Sequence, residues 1–369
     1  MGKFYDVAVI GGGIIGNSIA YYLAKEKVST AVFESGQMGG KTTSAAAGML
    51  GAHSECDDLE VFYPFARKSQ QSYAILEQEL RDLTGIDIRK TAGGIYKLAF
   101  NENEKQELLP LCSLQTVEWQ DARFIRQAEP AITSEILGAA YIEEDVHVLP
   151  KAVCQSFCQG AQIYGADLYE FTHVYDIQKN GGIFNVKTQA GDFEAKHIVV
   201  ASGVWSNTFF HQLGLANRII PVKGECLSVW KEGIQLQHTL FHEHCYIVPR
   251  SDGTLVIGAT MVENNWSEKP TIGGLAQMIA KAKSLLPAIE RMKVASIWAG
   301  LRPQTFDGRP FIGHHPEDDQ ILFAAGHFRN GILLAPATGQ MIKDFILQRK
   351  VDEGLAEAFR INRKSHVLV

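Results

Sequence analysis

Residues 6 to 16 read Asp6-Val-Ala-Val-Ile-Gly-Gly-Gly-Ile-Ile-Gly16, an apolar run that breaks into Gly11-x-Gly13-x-x-Gly16, and a second apolar run, Thr30 to Phe33, closes on Glu34. No other segment restricts the fold as tightly. Val7 to Ile10 predicts a strand buried on both faces, as in a parallel sheet, and Ile15, Ile19 and Leu23 share one face of the helix that follows. Glycines at this spacing let backbone approach a pyrophosphate at a helix N-terminus, and an acidic group closing the second strand accepts ribose hydroxyls. Gly11, Gly13, Gly16 and Glu34 are therefore expected at an adenine-dinucleotide site.

The 369 residues exceed one simple core and predict two domains. With 46% hydrophobic and 21% charged residues the composition is that of an ordinary globular protein. A net charge of −6 without a Lys/Arg block argues against nucleic acid or an anionic membrane as partner. No apolar run approaches the length of a membrane helix, and glycines interrupt the N-terminal run, which reads as a strand and not as a signal peptide. The six cysteines, Cys56, Cys112, Cys154, Cys158, Cys226 and Cys245, have no metal-ligand spacing, and Cys154 and Cys158 read as packed thiols one helical turn apart. A reduced, cytoplasmic protein without a metal is expected.

Pattern changes divide the chain. A loop of small residues, Gly39 to Gly51, precedes a helical stretch from about residue 57 to 84, and short strands with polar turns continue to Glu144. An apolar helix runs from Pro150 to Gly165, and Lys196 to Gly203 and Gln320 to Gly326 read as further buried strands. Between them, Glu225 to Trp230, Cys245 to Pro249 and Thr254 to Gly258 alternate, with a hairpin turn at Ser251-Asp-Gly253. Alternating strands build an antiparallel sheet, which cannot continue a parallel one. The expected architecture is a Rossmann-like, doubly wound α/β domain made of 1–84, 145–220 and 298–369, with an inserted α+β substrate domain of 85–144 and 221–297 built on an antiparallel sheet. Gly331 opens a helix to about Leu347.

The chain resembles the FAD-dependent amine and amino-acid oxidases of the D-amino-acid oxidase type. The resemblance rests on Val9 to Gly16, Phe33-Glu-Ser35, Thr42-Thr-Ser-Ala-Ala-Ala-Gly-Met49, Val199-Val-Ala-Ser-Gly-Val-Trp-Ser206, Trp298-Ala-Gly-Leu-Arg-Pro303 and Ala325 to Gly339. Within that group it is most similar to the bacterial glycine oxidases of the thiazole branch of thiamine synthesis. The resemblance implies a flavin site at Ile14, Ile15, Glu34, Ser35, Thr42, Thr43, Ala47, Gly48, Met49, Val174, His327, Phe328, Arg329, Asn330, Gly331, Ile332 and Leu333. The helix beginning at Gly331 would present its positive end to the flavin edge where reduction places charge. Covalently linked relatives carry a His in the loop after the second strand or a Cys in the C-terminal part. Here that loop is Thr-Thr-Ser-Ala-Ala-Ala and no cysteine follows Cys245, so non-covalent FAD is expected.

The same resemblance assigns Arg302 to the substrate carboxylate, which a guanidinium fork matches geometrically, with Tyr246 adding a hydroxyl. It puts Arg329 near flavin and substrate and lines the remaining pocket with Met49, Met261 and His244. Read alone, Arg302 also suits a salt-bridged domain interface, Tyr246 a half-buried strand position, and Thr42 to Met49 a surface loop. The implied activity oxidises glycine, sarcosine and D-alanine by hydride transfer to FAD, giving imine, then oxo acid and ammonia, with O2 yielding hydrogen peroxide. The imine would alternatively pass to thiazole synthase, and the family resemblance implies a homotetramer. The competing readings are a D-amino-acid oxidase or dehydrogenase of broader specificity, and a flavin-binding protein acting on tRNA or serving a structural role.

Overall fold

Every side chain from Val7 to Ile10 is buried in strand Phe4–Ile10, and period-two alternation sends them to two different cores. Val7 and Val9 pack with helices Ile14–Lys25, Phe62–Thr84, Pro150–Ile163 and Gly331–Ile346, while Ala8 and Ile10 pack with Phe184, Phe210 and Phe323 on the other face. The structure is a computed structural model that describes residues 3–55, 58–215 and 219–363. Cys56 lies outside the described residues, and the other five cysteines are free thiols.

Phe4–Ile10 is central in an eight-stranded sheet. Its parallel part runs in the order Asp318–Ala325, Gly191–Val200, Phe4–Ile10, Thr30–Phe33, Asp167–Tyr169. Antiparallel strands Phe311–His315, Ile183–Thr188 and Val174–Asn180 complete it. The glycine turn leaves the carboxyl end of Phe4–Ile10, where an open parallel sheet leaves a crevice.

The second sheet has nine strands, antiparallel except where Thr239–His242 runs parallel to Ile95–Ala99. Alternation again decides its faces. Leu227, Val229, Ile247, Leu255 and Ile257 point to helix Ile272–Leu285, and Cys226, Tyr246, Val248 and Val256 point the opposite way, toward Met49 and Trp298. The two 12-residue strands Ile219–Trp230 and Val294–Thr305 pair along nearly their whole length, from Ile219 opposite Thr305 to Val229 opposite Val294.

Three features differ from the sequence expectations. The small-residue loop contains a single helical turn, Thr42–Ala45, followed by Met49–Leu50 paired to Val146–His147. The first long helix begins at Phe62, and the predicted helix start at residue 57 lies outside the described residues. Helices Glu102–Leu108 and Ala122–Ala128 stand in a stretch read as strands and turns, and helix Ile272–Leu285 stands in one that the sequence left unassigned.

Candidate active site

Two cavities meet end to end between the sheets. The larger, about 420 Å³, lies along the carboxyl ends of the parallel strands, and the smaller, about 80 Å³, lies on the floor formed by the antiparallel sheet. Thr42, Ala46, Phe328, Arg329 and Ile332 line both, so the two cavities are adjacent and share a wall.

Backbone geometry shapes the larger cavity. Gly11 adopts φ +111°, and a Cβ there would lie 2.5 Å from the Ala201 carbonyl oxygen. A Cβ on Gly13 would meet only the Thr43 hydroxyl at 3.5 Å, which leaves the space over this turn open for an approaching group. Gly16 lines neither cavity; a Cβ would strike the Gly11 carbonyl oxygen at 1.9 Å, so its part is close packing of helix on strand. Glu34 accepts from the Gly12 amide at 2.8 Å and the Gly36 amide at 2.9 Å, which fixes its carboxylate at the rim. Thr43 Oγ1 accepts from the Ile14 amide at 3.0 Å and Thr42 donates to the Leu301 carbonyl at 2.8 Å. An elongated cavity with an open glycine cradle, a fixed carboxylate and a helix start at Gly331 fits a flavin dinucleotide.

Of the residues expected at the cofactor, Gly11, Gly13, Ile14, Ile15, Glu34, Ser35, Thr42, Thr43, Val174, His327, Phe328, Arg329, Gly331 and Ile332 line the larger cavity. Ala47, Gly48, Met49 and Asn330 line the smaller one instead. Leu333 lines neither and is buried in the helical core. Burial pushes His327 down to about 3, and its Nε2 lies 3.0 Å from Thr338 Oγ1, so the ring stands neutral beneath the helix start. Ala201, Ser202, Gly203 and Trp205 also line the larger cavity. They lie in the segment Val199 to Ser206, which carries part of the family resemblance.

The smaller cavity brings together Arg302, Tyr246, Arg329, Met261 and His244. Arg302 comes from strand Val294–Thr305, and a Cβ on Gly224 of the neighbouring strand would fall 2.4 Å from its Cζ and both terminal nitrogens. The guanidinium therefore lies against bare backbone. Arg302 Nη1 donates to the Thr260 carbonyl at 3.1 Å, and among the described residues no carboxylate pairs with it. The salt-bridged interface reading of Arg302 is thereby corrected. Tyr246 packs on Gly258 in the same manner, with a Cβ there 2.3 Å from Oη, and its hydroxyl lies 3.5 Å from Cys226 Sγ. Burial raises the Tyr246 phenol well above its ordinary value, so it is a donor at any physiological pH.

The Thr42–Ala45 turn is clamped to this floor and is not a free surface loop. Trp298 Nε1 donates to the Ala45 carbonyl at 3.0 Å, and a Cβ on Gly300 would lie 2.4 Å from Ala45 Cβ. Arg250 bonds the carbonyls of Ala47 and of Val148, the latter at 2.8 Å, and burial lowers it to about 10. Sequence reasoning missed Gly224, Gly258 and Gly300, whose contribution is an absent side chain, and Glu55, which pairs with Arg329 at 2.7 Å. Among the described residues no group of three or more His, Cys, Asp or Glu is arranged to hold a metal, and no helix is long and apolar enough to cross a membrane.

The chain is similar over its whole length to a glycine oxidase of Bacillus licheniformis, at 56% identity over 367 residues and 100% of both chains. A bifunctional protein ThiO/ThiG of Synechocystis is 33% identical over 97% of this chain and 54% of its own length. The crystal structure of glycine oxidase from Geobacillus kaustophilus superposes with a TM-score of 0.95 at 38% identity, covering 98% of this chain and 99% of that one. The family model described as FAD dependent oxidoreductase matches residues 6–345, a span that takes in both sheets and both cavities. The chain belongs to the FAD dependent oxidoreductase family.

Proposed function

We propose that this chain is a glycine oxidase, acting on glycine and other small primary and secondary amines such as sarcosine and D-alanine, with non-covalent FAD and O2 as acceptors. The observation that carries this reading is the 80 Å³ cavity whose one unpaired guanidinium, Arg302, sits at the end of a dinucleotide-sized space. Bound FAD supplies a hydride acceptor, and the products are the imine, then oxo acid and ammonia, with hydrogen peroxide from O2.

The protein's own part is positioning and charge. Arg302 receives the substrate carboxylate and Tyr246, held protonated, adds a hydrogen bond to it. Met49, Met261 and His244 bound the space left for the amine carbon, which excludes bulky side chains. Gly11, Gly13, Ile14 and Ile15 take the pyrophosphate, Glu34 and Ser35 the ribose, Val174 the adenine, and Thr42, Thr43 and His327 to Ile332 the flavin portion. No protein base is required if the amine arrives neutral.

The first division, 1–84, 145–220 and 298–369, carries FAD in this scheme, and 85–144 with 221–297 forms the substrate side. Sheet membership supports most of the division, but strand Val294–Thr305, and with it Arg302, belongs to the antiparallel sheet, and strand Ile219–Trp230 also crosses a boundary. We further assign the protein to the cytoplasm as a homotetramer that hands its imine to thiazole synthase. The bifunctional Synechocystis relative supports that hand-over, which would show as less free glyoxylate when the synthase is present; light scattering would test the tetramer.

Peroxide release across glycine, sarcosine, D-alanine and D-phenylalanine tests the central claim. Glycine and sarcosine should be turned over, and a higher kcat/KM for D-phenylalanine than for glycine would overturn the small-amine reading.

A further inference from the structure

We infer that Glu55 determines specificity in the smaller cavity: by neutralising Arg329 it leaves Arg302 as the one uncompensated cation, so the site takes amines bearing one carboxylate and rejects those bearing two. The inference rests on the reading that Arg302 receives the substrate carboxylate.

Among the described residues lining this cavity there are two cations, Arg302 and Arg329, and one acid, Glu55. Glu55 Oε1 lies 2.7 Å from Arg329 Nη2, with side-chain exposures of 9% and 22%, so the pair is largely removed from water and the two charges cancel effectively. Among the described residues the hydrogen-bond partner of Arg302 is a carbonyl, that of Thr260, and no carboxylate pairs with it. The cavity thus presents a net charge of about +1, which a monocarboxylate balances and a dicarboxylate exceeds. The second carboxylate would find Arg329 already paired and no free cation to balance it, a cost directed at the wrong ligand.

Glu55 is held in place by its own turn. Asp145, fully buried, accepts from the Ser54 amide at 2.7 Å and the Gln70 side chain at 2.9 Å, and its Oδ1 lies 2.7 Å from His53 Nδ1. This anchoring faces Glu55 toward Arg329 and puts a fixed negative charge in the wall.

The test compares two competitive inhibitors of similar size, glycolate with one negative charge and oxalate with two, measured against glycine on FAD-loaded enzyme. The native enzyme should bind glycolate the more tightly, and oxalate binding more tightly than glycolate would overturn the inference without recourse to any variant. In Glu55→Gln the ratio of inhibition constants should move toward oxalate by roughly tenfold or more, the effect of removing one close charge. In Arg329→Gln, which leaves Glu55 uncompensated, it should move the other way. A flat ratio in either variant overturns the assignment of Glu55, and if Glu55→Gln does not load FAD the Arg329→Gln arm decides. Failure of glycolate to compete with glycine at all would instead place the error in the carboxylate site.

Discussion

Arg302 lies flat because the residue beneath it is glycine. Arg302→Ala removes a group proposed to hold the carboxylate in ground and transition states alike, so KM should rise far more than kcat falls. Breaking one side of a desolvated ion pair costs about 3–5 kcal/mol, so kcat/KM for glycine should drop by two to three orders of magnitude or more. Steady-state peroxide release measures both. Gly224→Ala should reproduce part of this KM effect while FAD titration of the apoprotein stays unchanged, since the new Cβ would displace the guanidinium alone. Two buried imidazoles make a separate prediction. Burial lowers His327 to about 3 and His147, also facing the Arg250 charge, to about 4. The native state excludes protons that the unfolded chain binds below its ordinary value near 6.5, so stability is fully present above that pH and falls as pH drops toward 4. Each histidine contributes a slope of about 1.4 kcal/mol per pH unit. Urea midpoints between pH 6.5 and 4.5 should show the decline, and His147→Asn should make it shallower.

The segment from Thr260 to Thr271 carries the carbonyl that Arg302 uses and the Met261 wall, and one residue fastens its two ends. Glu225, 1% exposed, donates from its backbone amide to the Thr260 hydroxyl at 2.9 Å and accepts from the Thr271 amide on its carboxylate at 2.9 Å, while Lys223 Nζ stands 2.6 Å away. Burial alone would raise Glu225, but Lys223 and the Thr271 donors hold it below the usual carboxylate range. Glu225→Gln leaves Lys223 buried without its charge partner and should cost about 3–5 kcal/mol, whereas the double change Lys223→Met with Glu225→Gln, which removes the stranded charge and keeps an acceptor for Thr271, should cost less. Denaturant unfolding of the three proteins distinguishes these outcomes. The same contact explains why helix Ile272–Leu285 was illegible in the sequence. Gly273 and Gly274 weaken its helical pattern, and Gly274 is glycine because a Cβ would fall 1.5 Å from Glu225 Oε2. By contrast Thr30–Phe33 and Thr254–Gly258 were readable to the residue, since their patterns are set by which sheet face is covered. Arg302 and Tyr246 were reached through the family resemblance and not from their residue type alone, while Gly300 and Glu55, which act by absence or through tertiary pairing, left no signal in the sequence.

For the molecule as a whole, the cofactor is expected to be a separable part of the fold. The Thr42–Ala47 segment offers no histidine and no cysteine follows Cys245, so acid precipitation should release all the flavin to the supernatant, and yellow colour retained in the pellet would refute non-covalent binding. The apoprotein should melt at a lower temperature than the holoprotein, with a gap that grows with the logarithm of free FAD. Strands Ile219–Trp230 and Val294–Thr305 bear on motion. Each is a single uninterrupted strand that begins or ends beside the parallel sheet and continues into the antiparallel one, and their mutual pairing holds through the junction. A jaw that opens needs a few backbone dihedrals free to swing, and this ladder shifts register only between Ser228 and Val229, away from the junction. Substrate is therefore expected to enter without one half of the molecule rocking away from the other. Passage falls to the rim side chains, with Met261 38% exposed and His244 beside it, whose rotamers change in picoseconds to nanoseconds. Admission is then a matter of threshold width rather than closure, and the enzyme should show hyperbolic saturation without a slow conformational phase preceding flavin bleaching.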